Sequence, residues 1–315
     1  MSIYLHDIPL AEAQGRFETA LKAVDLWRVL EIETIPLDEN ALGRVSSETI
    51  WAKDSSPNYH ASAMDGFAVR AEDTVGAQPS SPIVISVDTG LGDRTASLVI
   101  KAKYVDTGDP LPNWANAVIP TEYVESLDNN GLIAQDIRKP GSIRIRAAVT
   151  PWSYIRPLGE DIIATQLVIP EGQILRPVDL GAIAASGYDL IKVARKPRVA
   201  ILPTGTELVS IGSKLGAGDI LEYNSLVIAA QIKSMGGEAT RFPIIKDDFD
   251  SICRSVEDAV RNFDLILLNA GSSAGADDYS AQVIAKLGTL LVHGVAVRPG
   301  HPVILGFIEK NRVPS

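Results

Sequence analysis

The last third of this 315-residue chain alternates strand patterns with helix patterns, and this alternation constrains the fold more than any other feature. Apolar runs of strand length, such as Arg198–Leu202 and Asp264–Leu268, are separated by helical stretches such as Asp248–Val260. Strands joined through helices form a parallel sheet with both faces covered. We therefore predict an α/β domain over residues 196–315. Its other predicted elements are the strands Ala239–Ile245 and Leu290–Val297 and the helices Glu222–Met235 and Asp278–Leu287.

The first two thirds of the chain lack this alternation and show other helix and strand patterns, which predict two further domains. Residues 1–45 contain helical patterns at Pro9–Trp27 and Leu37–Val45. Residues 46–150 contain short strand patterns punctuated by Gly, Pro and Asn, as in a small β domain. We predict that this β domain is inserted into an N-terminal domain formed by residues 1–45 and 151–195, in which Arg176-Pro177 marks a turn. The strand patterns are Ile83–Val87, Leu98–Val105, Ala117–Val124 and Ser142–Ile145.

Composition excludes several classes of function. Asp and Glu number 39 against 29 Lys and Arg, a net charge of −10, so we predict no nucleic-acid partner, because phosphate backbones need clustered cations. The single cysteine, Cys253, cannot form an internal disulfide, and its position on the apolar side of a helix predicts a core residue. No signal-peptide pattern and no long apolar stretch is present, so we predict a cytoplasmic protein without a membrane partner.

Two turns in the predicted β domain carry polar side chains that suit a binding site. Asp65 lies in the string Ser62–Arg70, where Asp-Gly is a turn pattern and small neighbours allow close backbone approach. Thr107 lies in the string Asp106–Pro112, where its hydroxyl and a glycine amide can bind an anion. Each string has a second interpretation: Asp65 caps its own turn, and Thr107 belongs to a proline-stiffened hairpin connection. The residues alone leave both interpretations open.

Two loops of the predicted α/β domain directly follow strands, where such sheets bind ligands. Thr204–Glu207 follows one strand and contains a glycine, although the same residues fit a helix capping box. The second loop follows the strand Asp264–Leu268 and is rich in small residues, which permit backbone amides to face a phosphate. The predicted phosphate-binding residues of this loop are Gly271, Ser272, Ser273 and Gly275.

Carboxylates beside that loop predict a metal ion. Asp277 and Asp278 would repel a phosphate unless a cation intervenes, and a hard ion such as Mg²⁺ prefers oxygen ligands. Asp247 ends another strand and brings a further carboxylate to the same edge. The alternative is that Asp277 and Asp278 only cap the next helix. Arg298, before a Pro-Gly turn, has a planar fork suited to an oxyanion.

Taken in order, these strings resemble the MoeA/gephyrin E-domain family, the molybdopterin molybdenumtransferases. The resemblance implies a multidomain α/β plus β fold: an elongated N-terminal α+β domain, an inserted small β domain, a doubly wound α/β domain of the molybdopterin-binding type, and a C-terminal β-barrel. That barrel is absent from this sequence, which we expect to be cut before it. The matching segments are Ser62–Gly66, Thr107–Pro112, Gly159–Asp161, Thr204–Leu208, the Gly271 loop with Asp278-Tyr279, and Arg298–Gly300.

The same resemblance implies an activity and a set of site residues. It implies that molybdate is inserted into adenylated molybdopterin with release of AMP, that Mg²⁺ takes part, and that the protein is a head-to-tail homodimer. The positions that match the family's catalytic residues are Asp65, Thr107, Asp161, Glu207, Asp247 and Asp278. Those expected to hold Mg²⁺ are Glu207, Asp247 and Asp278. The substrate-binding positions, besides the Gly271–Gly275 loop, are Thr204, Gly205, Arg298, Pro299 and Gly300.

The sequence departs from the family pattern in ways that keep a second hypothesis open. Gly294, Arg298 and His301 stand where lysines are usual, and the glycine loop reads Ala270-Gly271-Ser272-Ser273. Gly294 favours a non-catalytic module that binds or senses the cofactor, whereas the retained carboxylates favour a transferase. The loop variant and the opening Tyr4–Pro9 resemble a subgroup fused to a periplasmic-binding-protein-like domain. A third reading, a nucleotide-cleaving α/β enzyme, leaves the Asp65 and Thr107 strings unexplained.

Overall fold

The computed structural model describes residues 6–88, 101–270 and 279–309. The chain forms two compact units, and the second is inserted into the first along the sequence. The first unit comprises Met1–Thr34, Gly43–Val45 and Lys192–Ser315, and the second comprises Ile35–Leu42 and Ser46–Ile191. The finer division predicted from the sequence, with boundaries after residues 45, 150 and 195, stays a prediction.

Helices and strands are distributed over both units. The α-helices of the described residues are α1 (Leu10–Ala23), α2 (Pro177–Ala185), α3 (Asn224–Ser234), α4 (Phe249–Asn262) and α5 (Ser280–Leu287). The strands of the described residues are β1 (Ile32–Pro36), β2 (Ile50–Trp51), β3 (Ala61–Ser62), β4 (Gly66–Val69), β5 (Ile83–Val87), β6 (Lys101–Val105), β7 (Ala117–Pro120), β8 (Val124–Leu127), β9 (Ser142–Ile145), β10 (Ile155–Arg156), β11 (Leu167–Ile169), β12 (Leu190–Ala194), β13 (Arg198–Pro203), β14 (Leu208–Val209), β15 (Ile220–Leu221), β16 (Glu238–Arg241), β17 (Leu265–Asn269), β18 (Thr289–His293) and β19 (Ile304–Phe307).

A parallel sheet with the order β16-β13-β17 forms the centre of the first unit, as the alternation of strands and helices predicted. Residues on both faces of β13 are buried. Ala200 and Leu202 pack against α4 and α5, and Cys253 of α4 belongs to this core as predicted. Burial raises the pKa of the Cys253 thiol. Val199 and Ile201 point to the opposite face.

Two strands predicted for this sheet are shorter than expected. β16 ends at Arg241 rather than Ile245, because Pro243 has no N–H to donate to a ladder. β18 ends at His293 rather than Val297, where Gly294 takes a φ of +107° and turns the chain. β18 then pairs antiparallel with β19, so the prediction that it adds a parallel strand was wrong.

The second unit is built on a six-stranded sheet with the order β7-β4-β6-β5-β9-β8. Its neighbours are antiparallel except for the parallel pair β5 and β6. Phe67, Ile85, Ile143 and Ile145 fill the core on one face. The sequence pattern missed β4, because Asp65-Gly66 was interpreted as a turn although Gly66 already begins the strand.

Other departures from the sequence prediction have local causes. The helix predicted for Pro9–Trp27 ends at Ala23, and Asp25 has a left-handed φ of +54°. The helix predicted at Leu37–Val45 is one 3₁₀ turn, Glu39–Ala41. The strand predicted for Ala117–Val124 is divided by a 3₁₀ turn after Pro120.

Arg176-Pro177 opens a helix and is not the turn that the sequence suggested. Pro177 occupies the first position of α2, where its missing N–H leaves no helical bond unmade. Asp179 accepts hydrogen bonds from the Arg176 backbone N–H and from its guanidinium. These bonds hold the pKa of Asp179 below its usual value, and those from the Arg176 guanidinium contribute most. Among the described residues, no helix has the length and hydropathy needed to cross a membrane.

We predict that Gly66→Ala destabilises the protein by about 1–3 kcal/mol, because an added methyl group would collide with the Ile119 carbonyl of the neighbouring strand. Gly181→Ala is the matched control: Gly181 lies in α2 with open space around it, and we expect a gain of about 0.5–1 kcal/mol there. Urea unfolding measures both values. Equal stability of the Gly66→Ala variant and the parent chain would contradict the close approach.

Candidate functional site

Asp65 and Thr107 meet at the end of the six-stranded sheet in the second unit. Gly66 of β4 is paired with Val105 of β6, so the residue before one strand lies beside the residues after the other. Oδ1 of Asp65 accepts hydrogen bonds from the backbone N–H of Thr107 at 2.7 Å and from its hydroxyl at 2.8 Å. The backbone bond and then the hydroxyl bond hold the pKa of Asp65 below its usual value. Asp65 is therefore an exposed carboxylate that stays ionised.

The loop after β6 holds Thr107 in place. Gly108 has a φ of +90°, and its N–H donates to the Ser62 carbonyl at 2.8 Å. The Asp109 carboxylate accepts from the Asp106 N–H at 3.0 Å, which closes the turn. The string forms a turn but not the expected hairpin connection, because β4 lies between β6 and β7 in the sheet. The turn presents Thr107 to Asp65, and anion binding by this string stays a prediction.

Two residues beside this pair were not found by sequence reasoning. The Tyr104 hydroxyl donates to Asp106 Oδ1 at 2.9 Å, and burial raises the pKa of Tyr104. The Arg138 guanidinium lies 3.8 Å from the Asp106 carboxylate and 5.9 Å from the centre of the Tyr104 ring. Arg138 supplies positive charge near Asp106 and Asp65, and it is 32 positions from Asp106 with no local pattern that marks it.

Asp161 lies in the same unit but is engaged by a different partner. Arg156 donates to Asp161 Oδ2 at 2.7 Å and to Glu160 Oε2 at 2.7 Å. These hydrogen bonds, the one to Glu160 foremost, raise the pKa of Arg156. β10, which ends at Arg156, pairs with β3 so that Ile155 faces Ser62. Arg156 thus ends the strand that pairs with the one leading to Asp65, and its two carboxylate partners follow this strand in the chain.

In the first unit, three chain segments converge at the carboxyl edge of the parallel sheet. Thr204 follows β13, and its N–H donates to the carbonyl of Asn269, the last residue of β17, at 2.9 Å. Asp247 follows β16, and its Oδ2 accepts from the Thr206 N–H at 3.0 Å. Thr204 is buried, whereas Thr206 and Asp247 are exposed. This edge is where parallel α/β sheets bind ligands.

Gly205 and Glu207 complete the Thr204 loop. A Cβ at Gly205 would lie 3.0 Å from Glu207 Oε2 and 2.8 Å from Leu208 Cγ, so the loop closes tightly only with glycine there. Glu207 precedes the short strand β14, and its carbonyl accepts from the Ile220 N–H. No helix begins at this loop, all of which the structure describes, so the capping-box interpretation is excluded.

The Arg298–Gly300 turn connects β18 to β19 in the first unit and is exposed. Gly294, at the start of this connection, donates its N–H to Val303 and accepts from Ile8 through its carbonyl. A Cβ on Gly294 would lie 2.7 Å from Asp7 Oδ1 and 3.2 Å from the Asp7 nitrogen. The N-terminal segment therefore fills the space that a side chain at position 294 would need.

Several predicted site residues lie outside the described part of the chain. These are Gly271, Ser272, Ser273, Gly275, Asp277 and Asp278. Within residues 6–88, 101–270 and 279–309, no group of three or more potential metal ligands is assembled. The predicted magnesium site, for which Asp278 was expected to supply a ligand beside Glu207 and Asp247, therefore stays a prediction.

Comparison with known proteins gives two family matches that together cover most of the chain. Residues 8–187 match the family described as MoeA N-terminal region (domain I and II), and residues 200–312 match the one described as probable molybdopterin binding domain. A solved structure described as a molybdopterin biosynthesis MoeA protein from Pyrococcus horikoshii is similar at a TM-score of 0.79 with 32% identity, covering 97% of this chain and 73% of that one.

Curated relatives agree with these matches. A molybdopterin molybdenumtransferase 2 of Mycobacterium tuberculosis is 35% identical over 80% of this chain, and a molybdopterin molybdenumtransferase of a Nostoc species is 30% identical over 92%. This chain spans 60% and 62% of the length of these two relatives. The matches do not bear on the predicted fusion to a periplasmic-binding-protein-like domain, which stays a prediction.

We predict that Thr107→Ala raises the pKa of Asp65 toward its ordinary value, because the variant removes the hydroxyl donor at 2.8 Å while keeping the backbone donor. Thr206→Ala is the matched control: it removes the hydroxyl that contacts Asp247 and should leave the pKa of Asp65 unchanged. Carboxyl-carbon NMR across an acid titration measures the shift. We expect Asp65 to stay ionised to a lower pH in the parent chain than in the Thr107→Ala variant. Identical titration curves of Asp65 in the two proteins would show that the Thr107 hydroxyl does not lower its pKa.

Proposed function

This chain belongs to the MoeA family, and from that premise we propose that it is a molybdopterin molybdenumtransferase, which inserts molybdate into adenylated molybdopterin and releases AMP. The observation that carries the proposal is the convergence of the Thr204–Glu207 loop, Asp247 and the end of β17 at one edge of the parallel sheet. That edge lies in the segment matched to the molybdopterin-binding domain. The identity of relatives named molybdenumtransferase supports the proposal.

The residues of the first unit would bind and orient the phosphate end of the substrate. At the carboxyl edge, Thr206 is exposed, and its hydroxyl is a hydrogen-bond donor for phosphate oxygens. We propose that the loop beginning after Ala270 and the Arg298–Gly300 turn hold the remaining phosphate oxygens. Arg298 brings the planar, permanently charged donor that such oxygens need.

We propose that Asp65 of the second unit accepts the proton that the attacking water loses. Release of AMP adds water across the pyrophosphate bond: an oxygen–phosphorus bond forms, the bridging P–O bond breaks, and the water loses a proton. Asp65 is ionised because Thr107 donates two hydrogen bonds to it, so it is the group of this unit ready to accept that proton. We propose that Asp161 takes part indirectly, because its hydrogen bond with Arg156 keeps the guanidinium of that arginine in place.

Glu207 and Asp247 fit a magnesium ion as donors. Both are carboxylates at the carboxyl edge of the sheet, and Asp247 uses only Oδ2 for its bond to the Thr206 N–H. Hard divalent cations favour such oxygen ligands. We propose that Glu207, Asp247 and Asp278 hold Mg²⁺, which when bound would neutralise phosphate charge. The chain's own contribution is to fix Asp247 through Thr206 before any ligand arrives.

The second candidate function is a module that binds or senses the cofactor without turning it over. The packing of Asp7 against Gly294 favours it, because the site places a carboxylate where the family pattern has a cationic side chain. The ionised Asp65 favours the transferase. We further propose, from the family resemblance, that the protein is a cytoplasmic homodimer.

We predict that Asp65→Asn lowers the rate of molybdate-dependent AMP release by about 10²-fold or more, because the amide cannot accept a proton. Asp128→Asn is the control: Asp128 is a turn carboxylate of the same unit that accepts from Asn130 and Leu132, and asparagine preserves those bonds. AMP is quantified by chromatography in both variants. A parent chain that binds adenylated molybdopterin but releases no AMP with molybdate would favour the binding module.

We predict that AMP binds more tightly with Mg²⁺ than with EDTA, and that Asp247→Asn weakens the apparent Mg²⁺ affinity by about tenfold. The control is Asp248→Asn. Asp248 caps α4 through its bonds to the N–H and hydroxyl of Ser251, and asparagine caps equally well. Calorimetry in the two buffers measures both affinities. The same AMP affinity in Mg²⁺ and in EDTA would leave Asp247 as a residue that only holds the Thr206 loop.

A further inference from the structure

Two pairs of aromatic rings lie on the surface beside the Asp65 loop. We call them the aromatic patch, and it consists of His60, Tyr123, Trp152 and Tyr154. The rings of His60 and Trp152 meet edge to face with centroids 5.0 Å apart, and those of Tyr123 and Tyr154 are 6.5 Å apart. All four side chains are exposed: Trp152 keeps 56% and Tyr123 64% of its surface open to solvent. Burial in the core therefore does not explain why these residues are aromatic.

The backbone that carries the patch is strained. Trp152 and Tyr154 have φ values of +68° and +55°, the left-handed region that bulky side chains avoid. Such conformations persist only where surrounding contacts enforce them, and they cluster at functional sites. Here the Trp152 N–H donates to the Asn116 carbonyl at 2.6 Å, and the Tyr154 carbonyl accepts from Ala63 at 2.9 Å. The fold thus holds two large rings outward in a conformation that glycine or asparagine would adopt more easily.

The same bonds tie the patch to the candidate site in the second unit. Ala63 is two residues before Asp65, so the bond to the Tyr154 carbonyl anchors the Asp65 loop to the patch. The Thr121 N–H donates to the Asp65 carbonyl at 3.0 Å, and Tyr123 ends the 3₁₀ turn that begins at Thr121. The patch and the ionised carboxylate are therefore parts of one surface that backbone hydrogen bonds hold together.

We propose that the aromatic patch is a stacking subsite for the planar heteroaromatic ring of a phosphorylated ligand. The inference rests on the proposed function and extends it to where a ring of the substrate lies. Exposed aromatic faces bind flat rings by stacking, with little requirement for a particular hydrogen-bond pattern. Arg138, which lies 3.8 Å from the carboxylate of Asp106 in the adjacent loop, brings a guanidinium to this surface, a donor suited to the phosphate of such a ligand.

The test uses Trp152→Asn and Tyr154→Asn in the whole chain. Asparagine tolerates a positive φ better than other non-glycine residues, so both variants should fold with unchanged or higher thermal stability. Trp27→Asn is the matched control, since Trp27 is 52% exposed and lies in the other unit. The probes are AMP for the adenine ring, a soluble pterin for the pterin ring, and inorganic pyrophosphate as an anion without a ring.

We expect the parent chain and Trp27→Asn to bind at least one ring probe equally, and each patch variant to bind it about tenfold more weakly. Pyrophosphate affinity should be unchanged in all four proteins. Ligand-induced quenching of tryptophan fluorescence should disappear in Trp152→Asn. Loss confined to AMP or confined to pterin identifies which ring the patch takes.

Three results would overturn the inference in distinguishable ways. Ring-probe affinities that are equal in the parent and patch variants remove the stacking subsite and leave the proposed function standing. A parent chain that binds neither ring probe nor pyrophosphate removes both. A change of mass by light scattering in the patch variants, with unaltered ring binding, makes the patch a contact between copies of the chain instead.

Discussion

The position of β4 between β6 and β7 is the constraint on which the candidate site of the second unit depends. Gly66 faces Val105 on one side and Pro120 on the other, and only a residue without a side chain lets β4 approach the Ile119 carbonyl. This register brings Asp65, one residue before β4, beside Thr107, two residues after β6. The low pKa of Asp65 is therefore a consequence of strand pairing as well as of the threonine itself.

In the first unit the corresponding constraint is the parallel pairing around β13. β16 and β17 both run parallel to it, so the segments after all three strands leave from one edge. Thr206 and Asp247, 41 positions apart, hydrogen-bond there. Parallel topology thus collects polar residues from distant parts of the sequence without any long side chain having to reach across the sheet.

The sequence predicted the structure best where a single hydrophobic pattern was enough to define a helix or a strand. The helix–strand alternation predicted β13, α3, α4 and β17 to within a few residues, and burial of Cys253 followed from the same periodicity. It failed where a glycine or proline had two meanings. Gly66 reads as a turn but begins a strand, and Pro177 reads as a turn but begins a helix. Arg138, Trp152 and Tyr154 could not be found, because tertiary pairing alone brings them to the Asp65 loop, and a left-handed φ at an aromatic residue leaves no trace in sequence.

The close approach at Gly66 changes how functional data on this protein should be interpreted. Position 66 touches no substrate in the proposed reaction, yet a side chain there would collide with the Ile119 carbonyl and shift β4, and with it Asp65, relative to Thr107. A screen scored by turnover would therefore rank this glycine alongside the catalytic carboxylate. A measurement of unfolding free energy beside turnover would identify the glycine, because a side chain at position 66 disturbs the strand pairing itself. The glycine therefore belongs to the architecture of the site even though it has no chemistry of its own.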